Sequence, residues 1–466
     1  MMMTSKINFH KFLTILTTLA LTYSLNVIYS QDLSSYVRLS GEITNPNSDK
    51  ISIRGNAYTK VIKVNSDGTF DDTLVIKEGN FNFNDTREST SLHLAPGYRL
   101  DISFDGKEFD ETLKYSGIGE RPNNFNASYF LFNEKNELDY ETYKKIENLE
   151  YFDHELKTYE STIKLLKDFE IENEQFLASQ AEKFRFKMLN NLITKLGDDY
   201  FAGKTKGIIT QYLDTEIDKI DFKDSVIFAS NNGYRYFLSS YFVSGLTSGD
   251  LKTLELYNEE LLEMQKKSIV TTLKRGISFY NMEKLDVNYQ TIVKLAPNDK
   301  GFDRMKEKYD RIKNLKKGSP SPSFNYPDSS GKNISLESLK GKLVYVDVWA
   351  TWCGPCKAQI PFLKQLEEKY REEDIAFVSL SIDQLKNISK WKDMIVDKKL
   401  EGIQIIADKA WRSKFVTDYV IEGIPRFILI DKDGNLMDPM APRPAIYVEG
   451  EMQLNEEIQK IFEDNI

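Results

Sequence analysis

Val346-Asp347-Val348-Trp349-Ala350-Thr351-Trp352-Cys353-Gly354-Pro355-Cys356-Lys357 is the stretch whose reading decides the fold of the last third of the chain. It continues an apolar run, Leu343-Val344-Tyr345-Val346-Asp347-Val348-Trp349, with the length and composition of a buried strand. A helix is predicted from about Cys356 to Tyr370, with Pro355 in the first turn, where its missing N–H costs nothing. The C-x-x-C therefore stands where a strand hands over to a helix. Free N–H groups and the positive end of the helix dipole stabilise a thiolate on Cys353, the residue nearer the helix start. Thiolate is the attacking species, so Cys353 is the expected nucleophile and the more accessible thiol. Cys356, one turn later, is expected to resolve the mixed disulfide.

These are the only two cysteines in 466 residues, and the three histidines (His10, His93, His154) are scattered and far away in sequence. A structural zinc site usually takes four Cys or His ligands, so no metal is expected. A Cys–His or Ser–His–Asp arrangement is equally short of histidines. The two cysteines are expected to pair with each other, as a Cys353–Cys356 disulfide. Such a short ring removes little entropy from the unfolded chain and is a poor structural staple. Redox chemistry explains the pair better, and no cofactor is implied.

Moving outward, Ile375–Ile382 reads as the next strand, Trp391–Leu400 as a helix and Ile403–Ile406 as a short strand. Lys409–Val416 is predicted helical, Phe427–Ile430 and a final strand flank the Asp433-Gly434 turn, and Asn455–Phe462 closes with a helix. Alternating strands and helices imply an α/β domain with a mixed sheet over residues 318–466. Gly318-Ser319-Pro320-Ser321-Pro322-Ser323 ahead of it reads as a linker or lead-in.

The stretch from Val346 to Lys357 closely resembles the thioredoxin active-site segment, and the resemblance covers about residues 320–466. Within that superfamily it is most similar to exported thiol-disulfide oxidoreductases of the TlpA/ResA type. Gly423-Ile424-Pro425 resembles the family's cis-proline loop, and Ile430-Asp431-Lys432-Asp433-Gly434 the strand and turn after it. The resemblance implies a thioredoxin fold and a set of roles. Asp347, six residues before Cys353, corresponds to a buried acid that moves a proton to or from Cys356. Burial in an apolar strand raises such a carboxyl toward the useful range. Pro425 is expected against the disulfide, with the Ile424 backbone pairing to an extended substrate. Trp352, Gly354 and Pro355 complete the expected substrate-contact set, Trp352 packing on the sulfurs. Trp349 is assigned to the core, and Pro361 is expected to kink the helix. Ser379 stands where thioredoxins carry a lysine near the buried acid, so their redox potential does not transfer.

The front of the chain is organised differently. Lys6 and Lys11, then the apolar run from Phe12 to Leu21, then Ser30 before Gln31 read as an export signal over residues 1–30. An uncleaved membrane anchor is the alternative. No cysteine lies near Ser30, which excludes a lipoprotein anchor. Residues 31–120 show about seven short alternating runs separated by turns such as Asn45-Pro46-Asn47 and Asp67-Gly68, the pattern of a β-sandwich or open barrel. This half resembles N-terminal domains attached to such oxidoreductases in Bacteroidetes-like bacteria. Over residues 121–317 the period becomes helical, with stripes Leu177-Ala181-Phe184-Met188-Leu192 and Leu251-Leu254-Tyr257-Leu261 read as helix-on-helix core.

The whole is thus a multidomain chain: an all-β sandwich-like domain, a central α-helical region and a C-terminal α/β thioredoxin fold. A net charge of −9 gives no general attraction for nucleic acid, and none is expected as a partner. The reading is an exported, periplasmic enzyme exchanging disulfides with protein thiol substrates, supplied by a membrane electron donor if it acts as a reductant. A peroxiredoxin-type peroxidase shares the fold, but its motif needs proline at 346 and threonine at 350, where this chain has Val346 and Ala350. A third reading makes the front domains a binding module with the redox domain as effector.

Overall fold

The computed structural model describes residues 35–55, 57–448 and 451–466. The export signal read over residues 1–30 lies outside them. The chain forms two compact units, one ending at Leu262 and one spanning Glu263–Ile466.

In the first unit, eight strands form two four-stranded sheets: β1 Val37–Thr44, β2 Lys50–Gly55, β3 Tyr58–Lys63, β4 Thr69–Leu74, β5 Gly79–Asn84, β6 Ser89–Leu94, β7 Arg99–Asp105 and β8 Lys114–Ile118. The orders are β4-β1-β7-β8 and β3-β2-β5-β6. Period-two alternation drives the pairing. Val37, Leu39, Phe83, Leu100 and Ile102 turn inward into one core, while their neighbours face out. Gly68 sits at the Asp67-Gly68 turn with φ +86°, where a Cβ would collide with the Ile43 carbonyl oxygen. Helices follow from Glu120 to Glu259. Phe184, Met188 and Leu192 are buried as their spacing implies. Leu251 is a correction: it is 78% exposed, and the buried side of its helix runs through Thr253 and Tyr257. The Asp250 cap sets that phase by accepting from the Thr253 N–H.

The second unit opens with helices Glu263–Arg275, Leu285–Leu295 and Phe302–Asn314. A short hairpin, β9 Asn325–Pro327 with β10 Asn333–Ser335, precedes the main sheet. That sheet contains β11 Leu343–Trp349, β12 Ile375–Ser381, β13 Ile403–Ile406, β14 Arg426–Ile430 and β15 Leu436–Asp438, in the order β13-β12-β11-β14-β15. β11 runs parallel to β12 and antiparallel to β14, so the sheet is mixed. A hairpin, β16 Ala445–Val448 with β17 Glu451–Leu454, and helix Glu456–Glu463 close the chain. One face of the sheet packs Leu343, Tyr345 and Phe427 against Leu363, Leu366 and Phe462. The other packs Val344, Val346, Val348 and Ile428 against Trp391 and Phe415.

One expectation changes here and one alternative is decided. The helix predicted over 409–416 is broken into a 3-10 turn at Ala410–Arg412 and a helix Lys414–Asp418, because Ala410 has φ +49° and Ser413 is extended. Of the two readings of the Ser-Pro stretch near 318–323, the structure has the lead-in, tied to the domain. The Gly318 N–H donates to Leu436 O at 2.7 Å and the Leu436 N–H to Ser319 O at 2.7 Å, stitching it along β15. Leu315 and Phe279 join the core that contains the sheet, so helices N-terminal to residue 318 are part of this unit. A fragment Glu263–Ile466 is therefore expected to resist urea better than Ser319–Ile466, by about 2–4 kcal/mol for the lost burial of Leu315 and Phe279. Equal unfolding midpoints with equal m-values for the two fragments would contradict this packing.

Candidate active site

β11 ends at Trp349 and the following helix begins at Gly354, with Cys353 as its N-cap. The turn between them is pinned from the side. Asp383 accepts from the Thr351 N–H at 2.9 Å and from Thr351 Oγ1 at 2.8 Å, and Ser381 Oγ donates to the same carboxylate at 2.9 Å. Cys353 and Cys356 are joined as a disulfide, with their Cα atoms 5.3 Å apart. The Cys356 N–H donates to Cys353 Sγ at 3.1 Å. This sulfur is thus the one that receives an N–H at the helix start, as thiolate stabilisation requires. The expected difference in access is not seen in the disulfide form: Cys353 is 4% and Cys356 3% exposed. Only the helix N-terminus distinguishes the two sulfurs. Trp352 is 56% exposed, its ring 6.4 Å from that of Trp411. Trp349 is buried in the core. Pro361 lies within helix Gly354–Lys369. The Ile424–Pro425 peptide is cis, and Ile424 packs against the cluster that contains both cysteines.

Asp347 is central in β11, between Ser379 of β12 and Phe427 of β14. By alternation it shares the face of Leu343 and Tyr345, which the active-site helix covers. A cavity of about 10 Å³, close to the least room a water needs, joins Asp347 to Ile360, Leu363, Lys364 and Glu367 of that helix and to Ser379 and Gln404. Cys356 heads the same helical stripe, four residues before Ile360. Among the described residues nothing hydrogen-bonds Asp347 Oδ1, Trp349 Nε1 or Gln404 Oε1. Burial, followed by the charge of Glu367, pushes the Asp347 carboxyl up to about 8. Glu367 itself is pushed up to about 7, by burial and then by Glu401.

Several of these groups went unremarked in the sequence. Glu367 falls on the stripe 356-360-363-367, and a carboxylate on an otherwise inward stripe is the signal that marks it. Gln359 has no such signal. Its side chain clamps the Ala445 backbone, Nε2 donating to Ala445 O at 3.2 Å and Oε1 accepting from the Ala445 N–H at 2.9 Å. Among the described residues no group of three or more His, Cys, Asp or Glu is placed to hold a metal.

Residues 316–439, the part of the chain that carries this geometry, match the Redoxin family. ResA of Bacillus cereus, a thiol-disulfide oxidoreductase, is 33% identical over 125 residues, which are 26% of this chain and 67% of that protein. The chain belongs to the ResA family of thiol-disulfide oxidoreductases. ResA of Bacillus thuringiensis is 32% identical over 121 residues, covering 26% of this chain and 67% of its own length. Among solved structures, a Bacteroides vulgatus protein described as a thiol-disulfide oxidoreductase is 34% identical, covers 33% of this chain and 98% of its own, and has a TM-score of 0.28. A solution structure so described from the same organism is 51% identical over 28% of this chain and 84% of its own, with a TM-score of 0.25. Membership rests on the sequence relatives and not on these superpositions. This ResA-family enzyme carries its redox domain after a β domain and a helical region, and the relatives above cover between 26% and 33% of the chain. Among the described residues no helix is long and apolar enough to cross a membrane.

Proposed function

We propose that the enzyme is exported to the periplasm and exchanges disulfides with protein clients through Cys353 and Cys356. Cys353 attacks, Cys356 resolves, and Asp347 carries the proton to or from Cys356. Trp352, Gly354, Pro355, Ile424 and Pro425 form the client contact. The carrying observation is the Cys353 sulfur at a helix N-terminus, receiving the Cys356 N–H at 3.1 Å beside an exposed Trp352. A half-exposed indole next to a reactive sulfur suits a polypeptide partner, since indoles bury large apolar area at interfaces. The N-terminal apolar segment of the sequence supports export, either cleaved or kept as an anchor. In an oxidising compartment a reductase needs electrons delivered from the membrane side. Val346 and Ala350 stand where the peroxidase motif needs other residues, so peroxide reduction is the weaker reading.

The test is to express a Cys356→Ala variant in cells and isolate the species disulfide-bonded to Cys353. Exported proteins with cysteines, identified by mass spectrometry, are the expected catch. Recovery of cytosolic proteins alone would overturn the compartment, and recovery of small thiols alone would overturn protein clients.

A further inference from the structure

A cleft of about 440 Å³ in the second unit lies alongside the Ile424–Pro425 loop. Its walls come from three places: the loop itself with Arg426, the segment Met440–Arg443, and the helical lead-in through Phe279, Tyr280 and Lys308. Phe279 and Ile424 both pack on the core cluster that also contains Cys353 and Cys356, and the cis Ile424–Pro425 peptide forms part of the cleft wall. Arg426 pairs in register with Val348, five residues before Cys353.

Arg426 is the unusual group. It is 8% exposed, its guanidinium carbon lies 4.9 Å from the Phe279 ring centre, and its Nε donates to Pro439 O at 2.7 Å. Its Nη2 is buried with no partner among the described residues, and no carboxylate among them lies within ion-pair distance of the guanidinium. A buried cation with no carboxylate in direct contact is costly, and a charge-assisted bond to one relieves that cost. The rest of the cleft keeps the balance positive. Lys308 and Glu422 pair at 2.8 Å, and Asp438 and Glu422 act on Arg426 only from beyond ion-pair distance, so among the described residues neither it nor the exposed Arg443 has an ion-pair partner. Tyr280, 85% exposed, offers a flat apolar surface at the rim.

We propose that this cleft receives an acidic side chain of the client polypeptide, close in sequence to the client's cysteine, and pairs its carboxylate with Arg426. This inference rests on the reading that the enzyme acts on protein disulfides. Residues outside the thioredoxin fold thereby take part in client choice, because Phe279, Tyr280 and Lys308 precede it. The reaction that reports on the cleft is ordinary exchange. The Cys353/Cys356 dithiol gives two electrons to a client disulfide, which leaves as two thiols while the enzyme's own disulfide closes.

The test uses the reduced full chain and synthetic peptides with one cysteine, each held as a mixed disulfide with 2-mercaptoethanol. Peptide pairs carry Glu or Gln, one to three residues to either side of the cysteine. The wild type is expected to react about 10-fold faster with the Glu peptide in at least one placement, in line with a single charge-assisted hydrogen bond. Arg426→Gln should bring the Glu/Gln ratio near one, Arg426→Lys should keep part of it, and Arg443→Gln, at an exposed site, should lower it partway. Equal rates for Glu and Gln peptides in every placement would overturn the proposal while leaving protein exchange intact. So would a ratio untouched by Arg426→Gln, whether or not Arg443→Gln lowers it. Failure to reduce any peptide disulfide would instead remove the reading beneath it.

Discussion

Cys353→Ser is expected to abolish disulfide exchange to the uncatalysed background, whereas Cys356→Ser should leave a first, stoichiometric attack and then stall. The reason is the asymmetry of the helix start. Only Cys353 Sγ accepts the Cys356 N–H at 3.1 Å, and it caps a helix of 16 residues. A serine hydroxyl in the same place is not ionised near neutral pH, so the nucleophile itself is lost. Removing Cys356 spares the attacker but takes away the thiol that releases the client, so the mixed disulfide accumulates. Insulin reduction gives the turnover, and intact-protein mass gives the trapped adduct. Accumulation of the adduct on Cys356 in Cys353→Ser, at a rate like that of the wild type, would reverse the two roles.

The redox half of the fold was legible because each signal was local. The run Leu343–Trp349 is a strand at the bounds its apolar residues set, buried throughout. Its partner, predicted as Ile375–Ile382, ends one residue sooner, at Ser381. Pro355 and the two cysteines one turn apart marked the helix start, which was predicted at about Cys356 and lies at Gly354. Four of the shortest strands were not legible, although β13 was read at its observed bounds, Ile403–Ile406. β9, β10, β16 and β17 are too short for alternation to stand out, and tertiary pairing makes them. The lead-in near Ser319 was ambiguous for a similar reason, since its backbone bonds go to Leu436, more than a hundred residues away.

The site divides in the same way. Cys353, Cys356, Asp347 and Pro425 belong to motifs, so their positions could be named from the chain alone. Glu367, Gln404 and Arg426 belong to no motif, and they matter through what burial does to them. Arg426 follows the cis-proline loop directly, yet only the fold brings Phe279 onto its guanidinium and leaves Nη2 without an acceptor. Ser379 is the instructive intermediate case. The sequence marks it as lacking a positive charge, and the register sets it directly opposite Asp347 in β12. Nothing cationic therefore offsets the burial of Asp347 from that side, and the like charge of Glu367 adds to it.

That balance sets the expected behaviour of Asp347→Asn, which should be more stable than the wild type and slower. The carboxyl is raised from 3.8 to about 8 in the folded chain, first by burial and then by Glu367. A carboxyl raised on folding is protonated in both states below about pH 4, and there the two proteins should be equally stable. As pH climbs through the window from about 4 to 8, the unfolded chain ionises while the folded chain holds its proton, so the wild type loses stability relative to Asn. At pH 7 the gap amounts to several kcal/mol, about 4 as an upper figure, and it levels off above pH 8. The kinetic cost has the opposite consequence for function. Asn cannot exchange a proton with Cys356, so resolution of the mixed disulfide should slow by roughly 10²-fold near neutral pH, the low end for general acid–base catalysis. Attack by Cys353 should change little, and the defect should shrink as pH rises and Cys356 ionises unaided. Urea unfolding at a series of pH values measures the first effect, and stopped-flow separation of attack from resolution measures the second. A stability gap that does not depend on pH would mean that Asp347 does not hold a proton in the folded chain. Resolution at the wild-type rate would mean that the proton it holds is not the one Cys356 uses.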